Sequence, residues 1–169
     1  LMLFLGLLFS DGHIRPRAWI EFSNKNVRLI RKFSRLSNRL FGLKPSISMR
    51  ENQTSARIFS AILYQYLAIC IGFSKKRLPP IVFRVSEEKR RAFIAGLALG
   101  DGYSGKVTPN KKEKVTTVYL GENRRLSEEL VYLYATLGIR ARIKKQKQNF
   151  QKRNYSHIFG VSVQQDPKE

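Results

Sequence analysis

The sequence predicts an α+β protein of two pseudo-symmetric halves, each running helix, hairpin, helix, hairpin, with a further helix closing the first. Two observations carry this. An apolar phrase at the start of the chain returns in the middle, followed by two further phrases in the same order. Between these phrases, segments with the apolar spacing of a helix alternate with segments that change face at every residue, as strands do. Residues 1–74 form the first half, 75–86 a linker and 87–169 the second half, whose final helix is missing or short.

The repeat begins with Phe4-Leu5-Gly6-Leu7-Leu8-Phe9-Ser10-Asp11-Gly12, which matches Ile94-Ala95-Gly96-Leu97-Ala98-Leu99-Gly100-Asp101-Gly102 at a constant offset. Phe41-Gly42-Leu43-Lys44 then answers Leu137-Gly138-Ile139-Arg140, and Arg57-Ile58-Phe59-Ser60 answers His157-Ile158-Phe159-Gly160. The offset grows along the chain, as longer loops in the second half would require.

Each element follows from its pattern. The repeated apolar phrase makes a helix. His13 to Ser23 makes a short hairpin whose second strand sets Ala18, Ile20 and Phe22 against Arg17, Trp19 and Glu21; Tyr103 to Leu120 makes its counterpart. A helix follows, with Val27, Ile30, Phe33, Leu36 and Leu40 on one face and Gly42 past its end; Leu126, Leu130, Leu133 and Leu137, then Gly138, repeat it. The strands Leu43 to Glu51 and Ile139 to Gln148 carry polar rows at alternate positions, and Leu43, Pro45, Ile47 and Met49 give the first an apolar reverse face. Further strands at Ala56 to Ser60 and His157 to Val163 complete the sheets, and Ala61 to Ile71 forms an apolar helix. Lys75-Lys76-Arg77-Leu78-Pro79-Pro80 marks the boundary between halves.

Thirty-two Lys and Arg against 12 Asp and Glu give a formal charge of +20, far more than solubility needs, and the natural partner of such a chain is a polyanion. Charge alone does not separate DNA from RNA. A single cysteine, Cys70, excludes a disulfide framework or a Cys-based zinc site and is expected to be buried in its apolar run. The apolar opening stops at Ser10-Asp11, short of the roughly 20 residues of a membrane span, so the chain is expected to be soluble and intracellular, in a cytoplasm or an organelle.

The chemistry lies at the ends of the repeated helices. Gly6 and Ser10, and Gly96 and Gly100, are small residues four apart, so the two helices can approach backbone to backbone and bring their C-terminal ends together. Asp11 and Asp101 occupy those ends, each before a glycine suited to a left-handed cap. A carboxylate there meets the negative end of the helix dipole, a local cost of about 0.3–1 kcal/mol unless a cation is present. Two such carboxylates beside free carbonyls make a hard oxygen site suited to Mg²⁺ or Mn²⁺, which can activate water and stabilise the leaving oxygen of a phosphodiester. The alternative is that each Asp-Gly is only a turn after a buried helix.

The phrase G-L-x-x-x-D-G, carried as Gly6, Asp11 and Gly12 and again as Gly96, Asp101 and Gly102, resembles the LAGLIDADG signature. The chain is accordingly similar, over nearly its whole length, to the two-motif, single-chain LAGLIDADG homing endonucleases. It departs from them at the acidic sixth position of the signature, where Phe9 and Leu99 stand. The resemblance implies a monomer that makes site-specific double-strand breaks in DNA with Mg²⁺, with Mn²⁺ as a substitute and Ca²⁺ binding without supporting cleavage. It also implies that Asp11 and Asp101 hold metal, that Asn24 and Glu122 place water and metal unless they merely begin the following helices, and that Lys76 or Lys75 supplies an active-site cation. Two antiparallel sheets would form a saddle over a long, loosely palindromic site. The candidate DNA contacts are Arg15, Arg17, Ser48, Arg50, Asn52, Gln53 and Arg57 in the first half. In the second they are Lys106, Thr108, Lys112, Lys114, Arg140, Arg142, Lys144 and Gln146. An RNA-binding maturase, or a non-catalytic DNA-binding regulator of the same fold, is the alternative.

Overall fold

The computed structural model describes residues 1–16, 19–51, 53–74, 77–101, 103–104, 115–147 and 157–164. The elements are α1 (Met2–Asp11), β1 (Gly12–Ile14), β2 (Ile20–Asn24), α2 (Val27–Phe41), β3 (Ser46–Arg50), β4 (Gln53–Ile58), α3 (Ala61–Gln65), α4 (Glu87–Asp101), β5 (Tyr103–Ser104), β6 (Val115–Gly121), α5 (Arg124–Ala135), β7 (Ala141–Lys147) and β8 (His157–Gln164). The order is α+β, and the strands form two four-stranded antiparallel sheets of equivalent topology, β1-β2-β4-β3 and β5-β6-β8-β7. Both repeats thus have the expected αββαββ pattern. Two compact units result, Leu1–Lys75 with Pro79–Gly100 and Lys76–Leu78 with Asp101–Glu169.

In the first unit α1 is apolar on all sides and buried on nearly all of them, from Met2 through Phe9. Phe4 stacks on Phe33 of α2 at 4.7 Å between ring centroids, and Phe33 stacks on Phe22 of β2 at 4.9 Å. This column of three fully buried rings binds α1, α2 and the sheet into one core, and burying each ring contributes about 1.5–3 kcal/mol.

α2 starts at the Asn26 cap, whose side chain accepts from Arg28 N, and ends at Gly42, left-handed at φ 67°. Its buried face is Leu29, Ile30, Phe33 and Ser37, turned from the expected Val27–Leu40 row; Leu36 is half-buried and Leu40 exposed. A local hydrogen bond accompanies this turn. Ser37 Oγ donates to the Leu43 carbonyl at 2.7 Å, which gives a polar residue a place in the core. Ser37→Ala should therefore cost about 1 kcal/mol by leaving that carbonyl short of a donor, read as a lower urea midpoint at unchanged slope.

The apolar reverse face of β3 is open: Ile47 is 46% exposed and Met49 72%, and both flank a groove along Val27, Ile30, Arg31 and Arg35 of α2. One further expectation is corrected. Cys70 is exposed. The segment Ala61–Ile71 is helical, as α3 followed by a π-helical turn, Tyr66–Cys70, and it buries Leu63, Leu67 and Ile71 at four-residue spacing. Cys70 falls beside Ile62, Tyr66 and Ile69 on the uncovered side.

In the second unit α5 begins at Asn123, whose side chain accepts from Leu126 N, and buries Leu126, Leu130, Leu133 and Tyr134, with Leu137 beyond it. Val161 and Val163 of β8 are buried in the same unit. Burial pushes the Tyr134 phenol above its ordinary pKa. Glu129 holds the returning chain, accepting from Leu78 N at 2.7 Å and pairing with Arg77 at 3.2 Å.

Candidate active site and nucleic-acid face

The two motif helices, apart from the final Asp101, lie in the first unit and pack through their glycines. A Cβ added at Gly6 would lie 2.9 Å from Gly96 Cα and Leu97 N and would strike the Phe93 carbonyl; one added at Gly96 would lie 2.9 Å from Leu7 N and 3.0 Å from Gly6 Cα. No side chain fits between those backbones. Phe9, at the variable sixth position, fills the space beside this crossing, edge-on to Phe93 at 6.0 Å and to Phe73 at 5.7 Å. Toward the C-terminal ends, a Cβ on Gly100 would strike Ser10 and lie 2.9 Å from Asp11 Oδ2. The helices therefore stay close to their last turns.

Asp11 is the last residue of α1 and Asp101 the last of α4. Gly12 does not form the expected left-handed cap. It is extended, at φ −89° and ψ 161°, and leads straight into β1; its lack of a side chain serves packing, since a Cβ would sit 2.7 Å from Leu8 Cα. Gly102 lies outside the described residues.

Asn24, the last residue of β2, donates from Nδ2 to Asp11 Oδ2 at 2.6 Å and accepts from Asn26 N at 2.7 Å. The cap of α2 is Asn26, so Asn24 is not the start of the helix. It fixes the Asp11 carboxylate to the end of the sheet. A cleft beside this pair is lined by Asp11, Ser23, Asn24, Lys25 and Gln53. In the second repeat Glu122 is exposed and precedes the Asn123 cap. Lys75 and Lys76 lie outside the described residues.

Strand register assigns the polar face of the first sheet. Glu21 is opposite both His13 and Arg57, Ser55 opposite both Ser23 and Ser48, Ser46 opposite Arg57, and Arg50 opposite Gln53, so all share one face. Arg15 extends the β1 row, its N–H bonded to the Trp19 carbonyl. Of the predicted contacts in this half, Arg15, Ser48, Arg50, Gln53 and Arg57 fall together on this face, whereas Arg17 and Asn52 are outside the described residues. In the second sheet Arg142 is opposite Ser162 and Lys144 opposite Gly160, on one side of β7, while Ile143 and Val161 take the other. Arg140, Arg142 and Lys144 are exposed, and Gln146 is a residue of β7. Lys106, Thr108, Lys112 and Lys114 lie outside the described residues.

Three residues on or beside this face were not singled out from the sequence. Lys25 lines the Asp11 cleft. Trp19 and Glu21 form a cluster with the predicted arginines: the Arg15 guanidinium carbon lies 4.8 Å from the Trp19 ring centroid and that of Arg57 5.5 Å, while Trp19 Nε1 donates to Glu21 Oε2 at 3.1 Å. Arg57 Nε is 3.2 Å from Glu21 Oε1. Burial pushes the Glu21 carboxyl up, but hydrogen bonds from Ser55 and Trp19, with the neighbouring Arg57 charge, outweigh it and hold the carboxyl below its ordinary pKa. A carboxyl depressed in this way stabilises the fold above its unfolded pKa and loses that contribution as pH falls through the lower folded value. Acidification from neutrality to about pH 3 should therefore lower the melting temperature of the native chain more than that of Glu21→Gln, whose side chain does not titrate.

The homing endonuclease family model matches residues 82–168, half of the chain. The chain belongs to the homing endonuclease family. The homing endonuclease I-DmoI, solved as mesophilic variants, superposes with a TM-score of 0.64 at 18% identity, covering 95% of this chain and 86% of that one. I-DmoI in complex with DNA and Mn gives 0.62, and I-WcaI bound to its DNA recognition sequence gives 0.61 at 17% identity, with 95% and 74% covered. At such identities the likeness establishes the fold. Curated relatives include an uncharacterized protein of Methanocaldococcus jannaschii, 28% identical over 139 residues, and a DNA polymerase of Thermococcus kodakarensis, 27% identical over 147. These matches cover 80% and 81% of this chain but only 15% and 8% of the relatives. Among the described residues no helix is long and apolar enough to cross a membrane.

Proposed function

We propose that this homing endonuclease is a monomer that cuts both strands of DNA at a long, loosely palindromic site, using a divalent cation, Mg²⁺ by preference. The observation that carries the reading is the duplicated helix that ends in an aspartate and is packed glycine to glycine against its copy. Solved relatives support it: I-DmoI was crystallised in complex with DNA and Mn and with DNA and Ca, and I-WcaI on its recognition sequence.

Asp11 and Asp101 would hold the cation. The Asp11 carboxylate shares its cleft with Ser23, Gln53 and Lys25 and with Asn24, whose Oδ1 is taken by Asn26 N; the carboxylate, hydroxyl and Gln53 amide suit a hard cation, and Lys25 suits the phosphate that would accompany it. Among the described residues no three His, Cys, Asp or Glu gather in one place, so phosphate and water would complete the shell. When bound, the cation lowers the pKa of a water and neutralises the developing charge on the leaving oxygen. Asn24 holds Asp11 by donating to Oδ2, and Oδ1 would face the cation. Glu122, which can only accept, would not hold Asp101 in that way but would help place water and metal in the second repeat, and Lys76 would supply an active-site positive charge. The polar faces bind DNA through Arg15, Arg17, Ser48, Arg50, Asn52, Gln53 and Arg57, and through Lys106, Thr108, Lys112, Lys114, Arg140, Arg142, Lys144 and Gln146. Arginines reading base edges and lysines meeting phosphates divide the work between specificity and affinity.

The test is selection from a randomised duplex library by the full chain, with and without Mg²⁺. Recovery of one family of sequences, cut on both strands only when the ion is present, is expected. Selective binding with no cutting in Mg²⁺ or Mn²⁺ would overturn the nuclease reading in favour of a DNA-binding regulator, and preference for RNA would favour a maturase.

A further inference from the structure

Glu21 is the one acidic side chain in strands β1–β4, and it lies on the face that carries Arg15, Arg50 and Arg57. A carboxylate facing a polyanion opposes binding, so its place there needs a physical reason. Its contacts supply one. Oε1 is 3.2 Å from both Ser23 Oγ and Arg57 Nε, and Oε2 accepts from Trp19 Nε1 at 3.1 Å. The Glu21 side chain is 17% exposed and that of Arg57 31%, so both are held within the face rather than trailing in solvent. Trp19 is held in turn by Phe59, edge-on at 6.2 Å, and lies under both the Arg15 and Arg57 guanidiniums.

An arginine reads guanine through two parallel N–H bonds, and free rotation of its long side chain costs entropy that a fixed rotamer does not. Glu21 Oε1 lies 3.2 Å from Arg57 Nε and pairs with it by charge rather than by a hydrogen bond; Nε is buried, so a base contact would fall to the Nη groups. From this geometry, and resting on the DNA-binding reading above, we propose that Glu21 is a positioning residue for base recognition: with Trp19 it locks Arg57 into one orientation and sets the base preference where Arg57 meets the groove. The carboxylate gives up general affinity for DNA in exchange for discrimination.

The experiment compares the native chain with Glu21→Gln, Trp19→Phe and Arg57→Ala. Binding is measured on the recovered target, on its single-base-pair variants and on random duplex, across a salt series. Glu21→Gln should bind random duplex more tightly, with a salt dependence steeper by about one unit, because one fixed negative charge is removed and Arg57 is released. Its preference for target over random should fall by about tenfold, within the range expected of one bidentate base contact. The lost preference should lie at the same one or two base pairs that Arg57→Ala relaxes. Trp19→Phe keeps the ring but removes the donor to Glu21, and should relax the same positions less. A merely structural Glu21 would lower the melting temperature and leave the base-pair profile unchanged; that result overturns the inference. If the native chain itself binds every duplex alike, the endonuclease reading fails and this one with it. If the native chain discriminates and Glu21→Gln discriminates equally well, the inference fails alone.

Discussion

Asp11→Asn, and separately Asp101→Asn, will lose double-strand cleavage by at least about a thousandfold while binding target DNA as tightly as the native chain or slightly more tightly. An amide keeps the size of the carboxylate but not its charge, so the cation loses a ligand and the phosphate loses a repelling neighbour. Metal stabilisation of a phosphodiester transition state supplies several kcal/mol, and each 1.36 kcal/mol is a factor of ten in rate. Single-turnover cleavage and equilibrium binding on the same duplex separate the two effects. Undiminished cutting by either variant would remove that aspartate from the site. A parallel loss of binding would indicate damage to the helix ends, where Asp11 Oδ2 is held by Asn24 and crowds Gly100.

Gly6→Leu or Gly96→Leu will destabilise the fold by about 3 kcal/mol or more. Overpacking usually costs about 1–3 kcal/mol because neighbouring side chains can turn aside. Here the first atoms met are backbone: the Phe93 carbonyl, then Gly96 Cα and Leu97 N, from one side, and the Leu3 carbonyl, then Leu7 N and Gly6 Cα, from the other. Whole helices must separate, which also loosens Phe9 from Phe93. For a chain of this length each kcal/mol corresponds to about 2–4 °C, so a fall of roughly 10 °C in melting temperature is expected. A variant melting within a degree or two of the native chain would mean that the two helices are not packed in this way in solution.

The parts of the molecule legible in the sequence were those that the chain repeats or that follow a local period. The motif helices were visible because close backbone contact demands Gly6 and Gly96 at matching places. Alternation located the polar faces, since Arg142 and Lys144 must share a side of any strand they occupy. What stayed hidden depends on contacts that no local period encodes. The phase of α2 goes with the bond from Ser37 to the Leu43 carbonyl, and Ile47 and Met49 flank an open groove along α2. Cys70 looked buried because its neighbours are apolar, but the stripe at Leu63, Leu67 and Ile71 passes beside it. The Glu21 cluster was the least legible, because Arg57 reaches Glu21 only through the register of β2 with β4. Trp19 and Glu21 were already assigned to the polar side of their strand, and an acid among basic residues there was the available signal.

The pairing of α1 with α4 also has a consequence during synthesis. α1 leaves the ribosome before its partner, which is finished only at Asp101. At about 5–20 residues per second a ribosome takes roughly 5–20 seconds to cover that interval. Throughout it, the surface of α1 around Gly6 has no α4 to cover it, and this helix has scarcely a polar residue before Ser10. The nascent first repeat therefore carries an uncovered apolar helix face until most of the second motif has left the exit tunnel. That interval is when the chain is most open to chaperone capture or to pairing with the same helix of another copy.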